Sequence, residues 1–136
     1  MPILIKDIDH VVLRVKDMER AVDFYCDVLG CSVDRERDDL GLYHLRAGSA
    51  FIDLVDIQGK LGREGGGAAR IKGRNMDHLA LCLEIFDERA IRAYLQSHGI
   101  EAEEAVERYG AEGDGLSFYI KDPDGNTIEL KGPPTS

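Results

Sequence analysis

The 136-residue chain carries one segment twice. Asp9-His10-Val11-Val12-Leu13-Arg14-Val15 is followed by Glu19-Arg20-Ala21 and closed at Gly30. Asp77-His78-Leu79-Ala80-Leu81-Cys82-Leu83 is followed by Glu88-Arg89-Ala90 and closed at Gly99. His10 and His78 are 68 residues apart, whereas the two Glu-Arg-Ala triplets, Tyr25 and Tyr94, and the closing glycines are 69 apart. One insertion in the turn after the first strand reconciles the two offsets. A self-match of this length predicts two copies of one supersecondary unit, each placing one histidine in a shared site.

The local pattern of each copy is the same. Residues 8–16 are rich in Val and Leu and read as a strand, with His10, Val12 and Arg14 on one face and Val11, Leu13 and Val15 on the other. Asp17 caps a helix over 18–29, striped by Met18, Ala21, Val22, Tyr25, Val28 and Leu29 and ended by Gly30. Strands follow over about 31–36, 41–47 and 50–56. In the second copy a strand spans about 77–84, a helix 87–98, and further strands about 100–106, 116–121 and 127–131. The turn Asp122-Pro123-Asp124-Gly125-Asn126 has the chemistry of a tight hairpin connection, and Tyr109 to Gly115 reads as a glycine-bearing loop. Each copy is thus strand, helix, then three strands: an α+β chain of two tandem βαβββ modules, about 7–57 and 76–132. The expected result is a curled mixed sheet with an open, barrel-like cleft in one domain.

Between the copies, residues 59–74 hold six glycines with Lys60, Arg63, Arg70, Lys72 and Arg74 against Glu64 alone, a local charge of +4. The expected role is a mobile spacer, with a substrate-gripping lid as the competing reading. Elsewhere acid dominates, and a net charge of −9 argues against nucleic acid or an anionic membrane as partner. Cys26, Cys31 and Cys82 follow no metal-knuckle spacing and suit a reducing compartment, so a cytoplasmic location is expected. The apolar start Ile3-Leu4-Ile5 is cut short by Lys6 and Asp7 and reads neither as a signal peptide nor as a membrane span.

The chemistry lies in four positions. Ile52-Asp53-Leu54 in the first copy corresponds to Ile128-Glu129-Leu130 in the second, and in each strand the aliphatic neighbours face away from the acid. If the aliphatic faces pack under the helices, His10, Asp53, His78 and Glu129 all project from the open face. Two imidazoles and two carboxylates form a ligand set for one divalent ion: zinc, nickel, cobalt, iron or manganese. Arg14 shares the His10 face at about 13 Å between α-carbons. Cys82 shares the face of His78 and reads as a packing residue, since no base can be placed beside it.

His10 opening its strand, Phe24-Tyr25 with Val28-Leu29-Gly30, and the turn before Ile128-Glu129-Leu130 resemble the vicinal oxygen chelate superfamily over roughly residues 7–132. That superfamily includes glyoxalase I, fosfomycin-resistance proteins, extradiol dioxygenases and bleomycin-binding proteins. The resemblance puts its metal positions on His10, Asp53, His78 and Glu129, and it implies a homodimer acting on a small molecule. Glyoxalase I proteins carry Glu where Asp53 stands, so this chain departs there. Without Asp53 the set is two histidines and one carboxylate, a facial triad. The resemblance also implies that Arg14 grips a substrate carboxylate, beside the plain reading of an arginine lying along a barrel rim. The implied activity is that of a metal-dependent lyase or isomerase. It would chelate adjacent substrate oxygens and stabilise an enediolate or alkoxide, with Glu129 as ligand or proton-transfer base. The alternatives are fosfomycin-type thiol transfer, extradiol dioxygenation, or drug and metabolite binding without chemistry.

Overall fold

The computed structural model describes residues 2–135. The chain divides into two compact units, Met1–Ala69 and Arg70–Ser136, and each contains one complete βαβββ module.

In the first module, β1 (His10–Val15) leads into α1 (Met18–Val22), and β2 (Ser32–Arg37), β3 (Leu42–Ala47) and β4 (Ala50–Asp56) follow. The strands form one mixed sheet in the order β1-β4-β3-β2, with β1 parallel to β4 and the other pairs antiparallel. The aliphatic parity expected of β1 holds where it matters. Leu13 and Val15 are buried, while His10 and Val12 on the other face are exposed. With Ala21, Tyr25, Leu45, Ile52 and Leu54 they make the module's core, each large aliphatic side chain contributing about 1.5–3 kcal/mol by leaving water.

Asp17 caps α1 by accepting from the Arg20 N–H at 3.1 Å, as its position implies. The expected single helix to residue 29 is altered, because α1 runs into a π-helical segment, Asp23–Val28. The Leu29 N–H reaches back five residues to the Phe24 carbonyl. The wider turn lets the consecutive pair Phe24 and Tyr25 both bury, with rings edge to face at 5.0 Å, where a regular stripe admits only Tyr25.

The second module repeats the order: β5 (Leu79–Cys82), α2 (Glu88–Ser97), β6 (Val106–Gly110), β7 (Gly113–Lys121) and β8 (Thr127–Lys131). Its sheet runs β5-β8-β7-β6, with β5 parallel to β8. Asp87 caps α2 as Asp17 caps α1, and Gly99 takes the positive φ that Gly30 takes after the first helix. Leu95, Phe118, Ile120, Ile128 and Leu130 form the core.

One strand falls elsewhere than expected. Residues 100–105 are irregular, and β6 begins only at Val106. The stretch read as a loop is instead a β6–β7 hairpin with Gly110 opposite Gly113. Its glycines answer to close packing: a β-carbon on Gly115 would stand 2.8 Å from the Gly132 carbonyl oxygen, and one on Gly110 3.0 Å from the Lys131 side chain.

The segment between the modules also departs from the spacer reading in part. Gly62–Gly65 is a turn of 3-10 helix. A β-carbon on Gly62 would lie 1.8 Å from the Asp56 carbonyl oxygen, so this glycine serves close approach, not freedom of motion. Among the described residues, no helix is long and apolar enough to cross a membrane.

Candidate metal centre

Each module presents a histidine and a buried carboxylate. In the second, His78 precedes β5 and Glu129 lies mid-β8, in register with Ala80 and Tyr119. The Glu129 carboxylate is 5% exposed, and its Oε1 is 3.1 Å from His78 Nε2. The other ring nitrogen, Nδ1, lies 2.7 Å from Oδ2 of Asp77. Both ring nitrogens thus face a carboxylate oxygen, and a proton held on Nδ1 by Asp77 is the arrangement that would leave Nε2 for a metal ion. Behind β8 the connecting turn is pinned. The Asp122 carboxylate accepts from the backbone N–H groups of Asp124 and Asn126 at 2.9 and 2.8 Å, and Arg74 donates to Asn126 and to the Asp124 carbonyl. Ile128 and Leu130, both buried, hold the strand on either side of the acid.

The first module repeats this with one change. His10 Nδ1 is 2.6 Å from Asp9 Oδ2, and its Nε2 faces Asp53 Oδ2 at 4.0 Å. The Asp9 hydrogen bond raises the His10 pKa, and with the charges of Asp53 and Asp9 it outweighs the opposing effect of desolvation. Asp53 is 3% exposed and sits in register with Val12 on β1 and His44 on β3. His44 Nδ1 stands 3.0 Å from Asp53 Oδ1. The two atoms are close enough for a hydrogen bond but misaligned, and both are buried without another partner. Each of these groups costs about 1–3 kcal/mol if it stays unpaired, so the 3.0 Å approach is the pairing the site offers them.

The spacing in the second module suits a divalent ion. Two donors at about 2.1 Å from one ion and at right angles stand about 3.0 Å apart, close to the separation of His78 Nε2 and Glu129 Oε1. Imidazole with carboxylate is a donor set for zinc, nickel, cobalt, iron or manganese. Among the described residues, no cluster of three or more histidine, cysteine, aspartate or glutamate side chains has the geometry of a complete centre. Each module offers a pair.

The chain matches the Glyoxalase/Bleomycin resistance protein/Dioxygenase superfamily over residues 7–130. It belongs to that superfamily. The chain is 37% identical over 128 residues to the glyoxalase domain-containing protein RDO1 of Mycosarcoma maydis, covering 93% of this chain and 68% of that protein. It is 32% identical over 131 residues to the virulence protein STM3117 of Salmonella typhimurium, covering 93% and 84%. The crystal structure of that virulence protein superposes with a TM-score of 0.73 over 96% of this chain and 99% of the other, at 29% identity. A probable lactoylglutathione lyase of Synechocystis is 25% identical over 129 residues, covering 89% and 91%. The tandem βαβββ reading of this glyoxalase-superfamily chain is thereby established.

Other expected residues are placed as follows. Arg14 Nη1 donates to the Gly67 carbonyl at 3.0 Å, and Nη2 donates to the carbonyls of Gly62, at 2.9 Å, and Gly66. Its guanidinium thus closes on the segment between the modules. Cys82 is exposed, and desolvation together with the Glu112 carboxylate pushes its thiol pKa up, which suits no nucleophile.

Three features escaped the sequence reading. Asp9 and Asp77 orient the histidines, and the repeated Asp-His dipeptide was the available sign. His44 faces Asp53. At the matching register position of the second module, Tyr119 packs edge-on against His78 at 5.3 Å. Arg108 lies 4.3 Å over the Tyr119 ring and donates to the Ser117 carbonyl and hydroxyl.

Proposed function

We propose that this protein is a metal-dependent glyoxalase-type enzyme, a lyase or isomerase acting on a small molecule with two adjacent oxygens. His10, His78 and Glu129 hold one divalent ion, and Asp53 is the fourth and weaker donor. The observation that carries this reading is the repeated arrangement of aspartate, histidine and buried acid in both modules. The ion, when bound, supplies a Lewis acid that lowers the cost of negative charge developing on the substrate oxygens.

The chain's own residues supply the rest. Asp9 and Asp77 keep each imidazole in the ligating tautomer. Glu129, with Oε1 turned to His78, has Oε2 to accept and return a proton at the substrate carbon. Arg14 is the candidate grip for an anionic substrate group, and to act so it must exchange linker carbonyls for the anion. The proposed assembly is a homodimer, and the three unpaired cysteines support a cytoplasmic setting.

One observation favours a second reading. His10 Nε2 is 4.0 Å from Asp53, against 3.1 Å for the His78–Glu129 pair. A centre with only three firm protein donors also suits fosfomycin-type thiol transfer or extradiol dioxygenation.

Elemental analysis of wild type and His78→Ala tests the metal. One ion per site in wild type and its loss in the variant are expected, and equal content in both would remove the proposal. Turnover of a hemithioacetal, with fosfomycin plus thiol and a catechol as alternatives, separates the chemistries. Uptake of metal with no turnover of any of the three would favour a binding protein.

A further inference from the structure

We propose that His44 is a positioning residue for Asp53, holding the carboxylate through Oδ1 so that Oδ2 is presented beside His10. Its metal arm rests on the function proposed above; its hydrogen-bonding arm does not.

The strand register leaves Asp53 one polar neighbour. Val12 is its partner on β1 and offers no hydrogen bond, while His44 is its partner on β3 with Nδ1 at 3.0 Å. A carboxylate 3% exposed in a sheet needs a donor, and both Nδ1 and Oδ1 are otherwise unpartnered. The imidazole is itself held from outside. Phe51, two residues before Asp53 on the same face, packs on the His44 ring at 5.7 Å, and Arg46 lies 4.3 Å over the other partner, the Phe51 ring. The ring thus has a packing partner on β3 beside its contact with Asp53.

The comparison between modules gives this arrangement its meaning. Tyr119 occupies the same register position opposite Glu129, but its ring packs on His78, and the acid pairs with His78 directly. In the first module the acid is one methylene shorter and lies between two imidazoles, Oδ1 toward His44 at 3.0 Å and Oδ2 toward His10 at 4.0 Å. Tethered at one oxygen, Asp53 has a fixed second oxygen to offer. Untethered, the short side chain would be free to turn away.

The test uses the full chain stripped of metal, with zinc affinity measured by competition against a chromogenic chelator. His44→Phe keeps a ring on Phe51 but removes the donor, and it should weaken zinc binding about 10- to 100-fold, the usual effect of losing a partner behind a ligand. His44→Asn places an amide N–H near Nδ1 and should stay within about threefold of wild type. In an Asp53→Ala background, His44→Phe should change nothing further. Wild-type affinity in His44→Phe, equal losses in the Phe and Asn variants, or additive losses with Asp53→Ala would each overturn the assignment.

A second readout needs no metal. Nitrogen-15 correlation spectra at about pH 9, well above the ordinary imidazole range, should show the His44 proton on Nδ1 in wild type and on Nε2 in Asp53→Ala. A proton on Nε2 in both proteins overturns the positioning role. If wild type takes up no zinc, the metal reading fails while this measurement still decides the role of His44.

Discussion

His78 Nε2 and Glu129 Oε1 stand 3.1 Å apart, joined across a parallel strand pair in which Glu129 is in register with Ala80, two residues beyond the histidine. The relation depends on three separate devices. Asp77 fixes the ring, the pinned Asp122 turn fixes the start of β8, and Ile128 and Leu130 fix its face. The matching pair in the first module is looser, at 4.0 Å.

Asp77 therefore carries a consequence. Asp77→Asn removes the charge that orients His78 and should weaken zinc binding about 10- to 100-fold, measured by chelator competition. Asp9→Asn should do the same through His10. Unchanged affinity in both variants would mean that packing alone sets the ring planes, with Tyr119 the obvious source for His78.

The same contact gives a pH dependence in the metal-free protein. Asp9 raises the His10 pKa above its ordinary value of 6.5, so folding favours protonated His10. That stabilisation is fully present below the unfolded value and is lost as pH rises through the folded value. Denaturant midpoints of wild type and Asp9→Asn should differ at about pH 5–6, below the ordinary imidazole value but with an ordinary aspartate still ionised, with wild type the more stable, and converge as pH rises. Divergence toward high pH would contradict the sign.

Much of this arrangement was legible in the sequence, for a physical reason. Parity in a strand is strict, so Ile52 and Leu54 flanking Asp53, and Ile128 and Leu130 flanking Glu129, set each acid on the opposite face from its aliphatic neighbours, but both acids are buried where an open face was expected. Capping by Asp17 and Asp87 was equally local. What escaped depends on pairing at a distance. His44 meets Asp53 only through the β3–β4 register, and Tyr119 meets His78 only once β5, β8 and β7 are assembled. Glycine misled in the opposite sense, since Gly62 and Gly115 look like freedom in a sequence and are crowded in the fold.

That crowding predicts opposite outcomes for neighbouring glycines. Gly62→Ala would set a methyl 1.8 Å from the Asp56 carbonyl oxygen and should cost about 1–3 kcal/mol in urea unfolding. Gly67→Ala meets nothing within 4 Å and should fall within about 0.5 kcal/mol of wild type. Arg14→Gln, which removes the guanidinium from the Gly62, Gly66 and Gly67 carbonyls, should speed tryptic cleavage at Arg63. Equal costs for the two alanines, with cleavage unchanged, would restore the plain spacer.

Glu129 and Asp53 remain to be told apart as proton-transfer groups. Glu129 is rigidly mounted, and its longer side chain extends further from the strand. Asp53 is shorter, and its Oδ1 is directed at His44. Both carboxylates are almost fully buried, so accessibility to water does not separate them. Reach does. Glu129→Gln should lower turnover by at least about 10²-fold, the least expected when a positioned base is lost. Asp53→Asn should cost clearly less. The amide keeps an oxygen in each case, so bound metal must be measured beside the rate, and proton exchange at the substrate carbon followed by deuterium uptake. If Asp53→Asn is the more damaging change at equal metal content, the base belongs to the first module, and the assignment made here to Glu129 is wrong.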